Sequence, residues 1–284
     1  MSAYTLQELM VVAAAREIRD REVVFVGMRL PMLAFALAKR THAPAATGLY
    51  ENGVVRDLPP AELLYTMADN PNLAGAVACT GMETVMSLLQ QGAVHTGFIG
   101  GAEVDRYGNL NTSYIGDPAQ PQVRLPGSGG AADIASLARR HLIIMPHDRR
   151  RFVPRVGYIT SPGYGEGAGW REQQGLVGGG PACLISTMGV FRFDPASREA
   201  YLDTVHPGFS VAEVRAHTGW ELKVSPTVAA TPEPTAAELA IIRECDPIGF
   251  WTGRKGERAA GPLAPDERPR LRVTHPGCID IHLR

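Results

Sequence analysis

The chain has 284 residues, 45% of them hydrophobic and 20% charged, with a formal net charge of −1. That hydrophobic share can build a sizeable core and excludes disorder across the whole length. The near-balanced charge gives no electrostatic reason to bind nucleic acid, and Gly27, Arg29 and Pro31 break the most apolar stretch, Val23 to Ala38, before it could span a membrane. At the N-terminus Glu8, Arg16 and Glu17 replace the basic patch and apolar run of a signal peptide, so none is expected. Thr5-Leu6-Gln7-Glu8 reads as a capping box that opens a helix to about Ile18. Val23 to Val26 is a short strand ending at Gly27, and Pro31 suits the first turn of a helix running to about Arg40. The pattern recurs with a strand at Ala76 to Cys79, a helix at Met82 to Gln90 and a strand at Val94 to Ile99. A helix over Ile134 to Arg140 and a strand over His141 to Met145 follow.

Such alternation predicts an α/β fold, an open and mainly parallel sheet flanked by helices. Cys183 to Ser186, Val190 to Phe193 and Ala200 to Val205 then read as a C-terminal strand meander, and Thr235 to Cys245 as a last amphipathic helix. Residues 1–250 form one expected domain, and 251–284 a tail or partner-binding arm, because Gly253 to Arg270 has little to bury. The four cysteines, Cys79, Cys183, Cys245 and Cys278, are too widely spaced for a zinc site or disulfide framework. No metal is expected, and a reduced, cytoplasmic enzyme is. The 31 glycines and 22 prolines point to many tight turns and functional loops.

Three segments fall where strands should end, which in open α/β sheets is where the binding crevice forms. In Gly48-Leu49-Tyr50-Glu51-Asn52-Gly53 a single carboxylate precedes a tight-turn pair. Glu51 there is either a nucleophile or a solvated turn residue. Gly100-Gly101 after Ile99 permits close approach of a ligand or of another backbone. Beyond it Asn109 and Asn111 alternate, so as to share a face, or else they satisfy a hairpin's own backbone. Pro126-Gly127-Ser128-Gly129-Gly130-Ala131 leads into a helix, where free N–H groups can meet an oxyanion or phosphate, or simply start a helix. His147 to Phe152, a run with three arginines, reads as a basic anion site or a solvated surface. His42, His95, His206 and His217 read as structural.

In this order the segments resemble the B subunits of class I CoA-transferases, of the glutaconate CoA-transferase kind. The resemblance runs from about Tyr4 to Asp246. It rests on Val24 to Gly27 with Leu30-Pro31, Glu51 with Gly53, Phe98 to Ala102, Asp105 to Asn111 and Gly127 to Ala131. Arg150 to Phe152, Thr160 to Gly163 and Gly189 to Phe193 extend it. It implies ping-pong transfer of CoA between carboxylic acids through a glutamyl-CoA thioester on Glu51. It also implies that Gly127, Gly129, Gly130 and Ala131 supply backbone donors and that Asn111 lies beside the carboxylate. Gly100, Gly101 and Asn52 complete the oxyanion and CoA-binding set. An A-type subunit would be the partner, acyl-CoA and a carboxylic acid the substrates, with no tightly bound cofactor.

The alternative is an acyl-CoA or ring-cleaving hydrolase on the same fold. A neighbouring branch of the family hydrolyses cyclic β-keto CoA thioesters, and His206-Pro207-Gly208 is similar to it. That branch lacks the glutamate at this place, so Glu51 favours transfer. A non-catalytic scaffold subunit would need neither Glu51 nor the glycine loops.

Overall fold

The computed structural model describes residues 3–254 and, as backbone, two short strands beyond them at 272–275 and 278–280. Helix α1 (Leu6–Ala15) starts from Thr5, whose hydroxyl accepts from Glu8 N while the Glu8 carboxylate accepts from Thr5 N. Each such reciprocal cap contributes about 1 kcal/mol by satisfying otherwise free N–H groups. Strand β1 (Val23–Val26) leads to α2 (Leu30–Arg40), with Pro31 in its first turn, then to β2 (Thr47–Tyr50) and β3 (Val54–Arg56). A short helix α3 (Asn70–Leu73), strand β4 (Ala78–Cys79), helix α4 (Met82–Gln90) and strand β5 (Thr96–Ile99) follow. Two hairpins leave the sheet, β6 (Glu103–Val104) with β7 (Leu110–Asn111) and β8 (Tyr114–Gly116) with β9 (Pro121–Arg124). Helix α5 (Ala131–Leu137) returns the chain to β10 (Arg140–Met145). After α6 (Trp170–Gln173) come β11 (Pro181–Ser186), β12 (Gly189–Phe193), β13 (Ala200–Val205), α7 (Val211–Ala216), β14 (Lys223–Ala230) and α8 (Ala236–Cys245). The last two strands, β15 (Arg272–His275) and β16 (Cys278–Asp280), pair with each other.

Ten strands form one sheet in the order β14-β13-β12-β11-β10-β5-β1-β2-β3-β4. The centre, β11-β10-β5-β1-β2, is parallel, and β11, β12 and β13 make the expected antiparallel meander. From β1 the chain steps outward to β2, but from β5 it steps the other way to β10. A topological switch point therefore lies between β1 and β5, and such points open a crevice beyond the strand C-termini. Val24 and Val26 of β1 join a core with Phe35 and Leu37 of α2, while Phe25 joins the opposite core with Leu89 and Ile134. Burial on both faces explains why β1 is a continuous apolar run. Truncating Phe35, wholly buried, would cost about 3–5 kcal/mol.

Several expectations shift at their edges. The helix predicted over Ile134 to Arg140 runs from Ala131 to Leu137. Arg140 instead opens β10, because its backbone pairs with Thr96 and its guanidinium reaches Glu22 at 2.9 Å. The strand predicted from Ala76 shrinks to Ala78–Cys79 at the sheet edge, where β3 offers only a short ladder. Strand β14 was not foreseen, since Pro226 lies within it; as an edge strand it tolerates the missing donor. Of the predicted tail, Trp251 and Thr252 pack onto the body. Thr252 is buried, and Asp246 accepts from Phe250 N, Trp251 N and both Thr252 donors. Residues 255–271 of that tail lie outside the described residues. Among the described residues no helix is long and apolar enough to cross a membrane.

Candidate active site

Glu51 follows the last residue of β2, in a tight turn that the backbone bolts in place. Gly53 N donates to Tyr50 O at 2.9 Å, and Gly53 O accepts from both Thr80 N and Thr80 Oγ1. Gly53 has φ +97, and any Cβ there would collide with the Thr80 carbonyl. Tyr50 points into the core, its hydroxyl unpartnered among the described residues, and burial pushes its ionisation well above the ordinary value. Alternation along the chain then turns Glu51 to the opposite face, towards α4 and α5. Asn52 works on its own loop: Nδ2 donates to Met67 O at 2.8 Å and Oδ1 accepts from Val54 N.

The glycine loop before α5 comes to Glu51. Gly130 N–H donates to Glu51 Oε1 at 3.0 Å, while Oε2 has no hydrogen-bond partner among the described residues. A Cβ on Gly130 would stand 3.2 Å from Oε1 and 3.4 Å from Met86 Cε, so only glycine fits without displacement. Gly129 also lies beside Oε1, and Gly127 turns the chain with φ +96 while its N–H donates to Thr112 O. The Ala131 N–H is spent inside the loop, on Ser128 O. At the far end of α5, the buried Arg171 guanidinium donates to the carbonyls of Ala135, Ser136, Gly163 and Gly178. Arg171 thereby ties the helix that carries the Gly130 donor to the irregular chain beyond β10. Nothing in the sequence marks it apart from neighbouring arginines.

Beyond the ends of β1, β5 and β10 lies a crevice of about 360 Å³. Val26 pairs with Tyr50, so Gly27 at the crevice floor stands level with Glu51 on the neighbouring strand. Gly100 and Gly101 line the crevice too. Their bare Cα atoms allow the close approach foreseen for them, with Ile144 O 3.0 Å from an added Cβ at Gly100 and Leu110 Cδ2 2.9 Å at Gly101. Asn111 is buried, and the carboxylate it donates to is Glu103, at 2.7 Å, with Tyr114 O as its second acceptor. Asn109 goes elsewhere, bonding Asp105, Gly163 N and both backbone groups of Gly165. Burial raises the Asp105 carboxyl above its usual range, against four hydrogen bonds that pull it down.

The arginine-rich run divides. His147 is buried, stacked on Phe152 at 3.7 Å and bonded to Ser186 and Thr218. Arg150 is exposed, and Arg151 faces the crevice. His42, His95, His206 and His217 all bond backbone groups, as structural histidines do. Among the described residues no three metal-ligating side chains cluster. Sequence reasoning passed over Arg29, which lines the crevice with φ +72 and ψ −123. That conformation suits glycine and costs another residue about 1–3 kcal/mol. A bulky residue in a β-to-α turn between Gly27 and Pro31 was the available signal.

A family model described as coenzyme A transferase matches residues 7–217. The B-type subunit of 3-oxoadipate CoA-transferase from Pseudomonas knackmussii is 40% identical over 245 residues, 86% of this chain and 94% of that one. The B-type subunit of glutaconate CoA-transferase from Acidaminococcus fermentans is 36% identical over 252 residues, 86% and 93% of the two chains. The crystal structure of glutaconate coenzyme A-transferase from the same organism aligns with a TM-score of 0.82 at 32% identity, covering 88% of this chain and 98% of that one. With the same fold and nearly full-length coverage, the chain belongs to the coenzyme A transferase family, among its B-type subunits.

Proposed function

We propose that this chain carries the nucleophile of a two-subunit CoA-transferase and moves CoA between carboxylic acids through a covalent intermediate on Glu51. The observation that carries the reading is the unequal treatment of the two carboxylate oxygens. Oε1 accepts from Gly130 N–H, and Oε2 has no hydrogen-bond partner among the described residues.

In the first step Oε2 attacks the thioester carbonyl and CoA leaves as the thiolate, giving a mixed anhydride. The thiolate then attacks Cδ of Glu51, expelling the acyl group as a free carboxylate and leaving a glutamyl-CoA thioester. A second carboxylate runs the same steps in reverse. An anhydride keeps the acyl group activated, so no external energy source is consumed. Whenever Cδ is attacked, negative charge develops on Oε1, where the Gly130 N–H already points. One such donor is worth about 10²–10³ in rate. The two relatives' names as B-type subunits support an A-type partner for this chain as well.

The test is trapping. Incubating the assembled enzyme with acyl-CoA and no acceptor acid should make it borohydride-sensitive, with a mass change on the peptide containing Tyr50-Glu51-Asn52. Glu51→Gln should fold normally and lose transfer, since a neutral amide is a far poorer nucleophile. Wild-type exchange by Glu51→Gln would sink the mechanism, and CoA release to water without an adduct would indicate hydrolysis.

A further inference from the structure

Arg171 takes no part in the chemistry above, yet it is buried and its whole guanidinium is engaged. Nε donates to Gly178 O at 3.0 Å, and Nη1 donates to Gly163 O at 2.9 Å and to Pro162 O at 3.3 Å. Nη2 donates to Ala135 O at 2.9 Å and to Ser136 O at 3.4 Å. Every acceptor is a backbone carbonyl, and among the described residues no carboxylate forms an ion pair with Arg171. A buried cation lacking a carboxylate partner is destabilising by itself, and here the carbonyl end of α5 compensates it. Gly178 N in turn donates to Ser136 O at 2.8 Å, closing a ring between α5 and the chain beyond α6.

Helix α5 needs such a hold. It has seven residues, well below the length at which a helix is stable alone, and its buried residues are Ile134 and Ala135. Ile134 settles its distance from the sheet, since a Cβ on Gly97 of β5 would collide with Ile134 Cγ2. That contact resists movement towards β5 and leaves sliding along the helix axis unopposed. Sliding matters, because N–H groups at a helix start point along the axis. There Gly130 N–H meets Glu51 Oε1 at 3.0 Å. Arg171 grips the opposite end, about 8 Å away along the axis at the usual helical rise. A slide of about 0.5 Å carries the Gly130 contact past ordinary hydrogen-bond length.

We propose that Arg171 is a positioning residue for the transfer reaction, holding α5 along its axis so that the Gly130 N–H stays on Oε1 of Glu51. The inference rests on the reading of Glu51 as the nucleophile. Arg171 acts only through the helix, from the end remote from the reacting oxygen. A rigid planar fork can hold carbonyls of several segments at once, which the single ammonium of a lysine cannot do in the same directions.

The experiment is a double-mutant cycle between Arg171→Lys and Gly130→Val, on the enzyme assembled with its A-type subunit. The readout is the half-reaction, in which the Glu51 carboxylate and the acyl-CoA give the glutamyl-CoA thioester and the free acid. The donor is whichever of acetyl-CoA and glutaryl-CoA labels the wild type faster. Arg171→Lys keeps the charge and should slow labelling by about tenfold to a hundredfold, the effect of a displacement of about 1 Å. The donor concentration that gives half the maximal rate should not change, since no binding group moves. In the Gly130→Val background, where the donor contact is already disturbed, Arg171→Lys should slow labelling no further. Equal slowing in both backgrounds would overturn the inference and leave Arg171 a purely structural residue, and an unchanged rate in Arg171→Lys would overturn it too. Should Arg171→Lys fail to assemble, Gly97→Ala moves the same helix from the sheet side. It should slow labelling, and Ile134→Ala added to it should recover most of the rate; unchanged labelling, or no recovery, overturns the inference. If the wild type forms no adduct with either donor, the nucleophile reading fails, and amide hydrogen exchange at Gly130 decides the inference separately. Faster exchange there in Arg171→Lys sustains it; unaltered exchange overturns it.

Discussion

A carboxylate that attacks a thioester and is later released from one needs different neighbours on its two oxygens. Glu51 has them: a backbone donor 3.0 Å from Oε1, and free space at Oε2. Gly130 has φ −76, which any residue adopts, so its substitution tests the contact and not the turn. In Gly130→Val the new side chain must displace the Glu51 carboxylate or the Met86 methyl group. Transfer should fall by about tenfold to a thousandfold, the range for a disturbed oxyanion donor. Far-UV circular dichroism and melting temperature should stay close to wild type. Unchanged kinetics in a folded Gly130→Val enzyme would remove this contact from the mechanism.

Around β10, β11 and β13 three histidines are held neutral by burial. His141 is lowered to about 3, His147 to about 3 and His206 to about 4, each from 6.5. Desolvation is the main cause in all three. Because these folded values lie below the unfolded one, the unfolded chain binds more protons between them. Stability is therefore full above pH 6.5 and is lost as pH falls from there, towards about 4 for His206 and about 3 for His141 and His147, by up to about 1.4 kcal/mol per pH unit for each histidine. Urea titrations at pH 7.5 and 5 should show this loss. His141, whose ring nitrogens have no partner among the described residues, offers the cleanest check. His141→Leu should make the decline shallower, and an unaltered slope would contradict the assignment. At this scale the sequence was legible where one pattern dominates: a capping box placed the start of α1, and a β-branched and aromatic run placed β1. It was opaque where long-range partners decide. Asn111 looked like a companion to Glu51 but is bound to Glu103, which pairs with it across a two-residue hairpin. Gly130 was marked as an oxyanion donor by its place before a helix, but not that the oxygen it meets is on Glu51 itself. Arg171 was invisible because its partners are carbonyls of chain segments distant in sequence.

The whole molecule leaves Glu51 half-buried, in partial contact with solvent. An anhydride formed there would meet water, and water destroys it, so productive transfer requires a cover that excludes solvent. An A-type subunit is expected to supply it. The purified chain alone should show no CoA transfer between acids, and co-expression with an A-type subunit should restore it. Robust transfer by the isolated chain would contradict this.

The turn that carries Glu51 is held by everything except Glu51. Gly53 and Thr80 lock its backbone, Asn52 anchors it to Met67, and Tyr50 fills the core beneath. The reactive side chain hangs from a frame that would close just as well around a different residue. Apart from the bond to Gly130 N–H, position 51 carries no part of the turn's own frame, so a change there alters the chemistry without dismantling the protein. In evolutionary terms the crevice is a tool holder, and the glutamate is the tool now fitted.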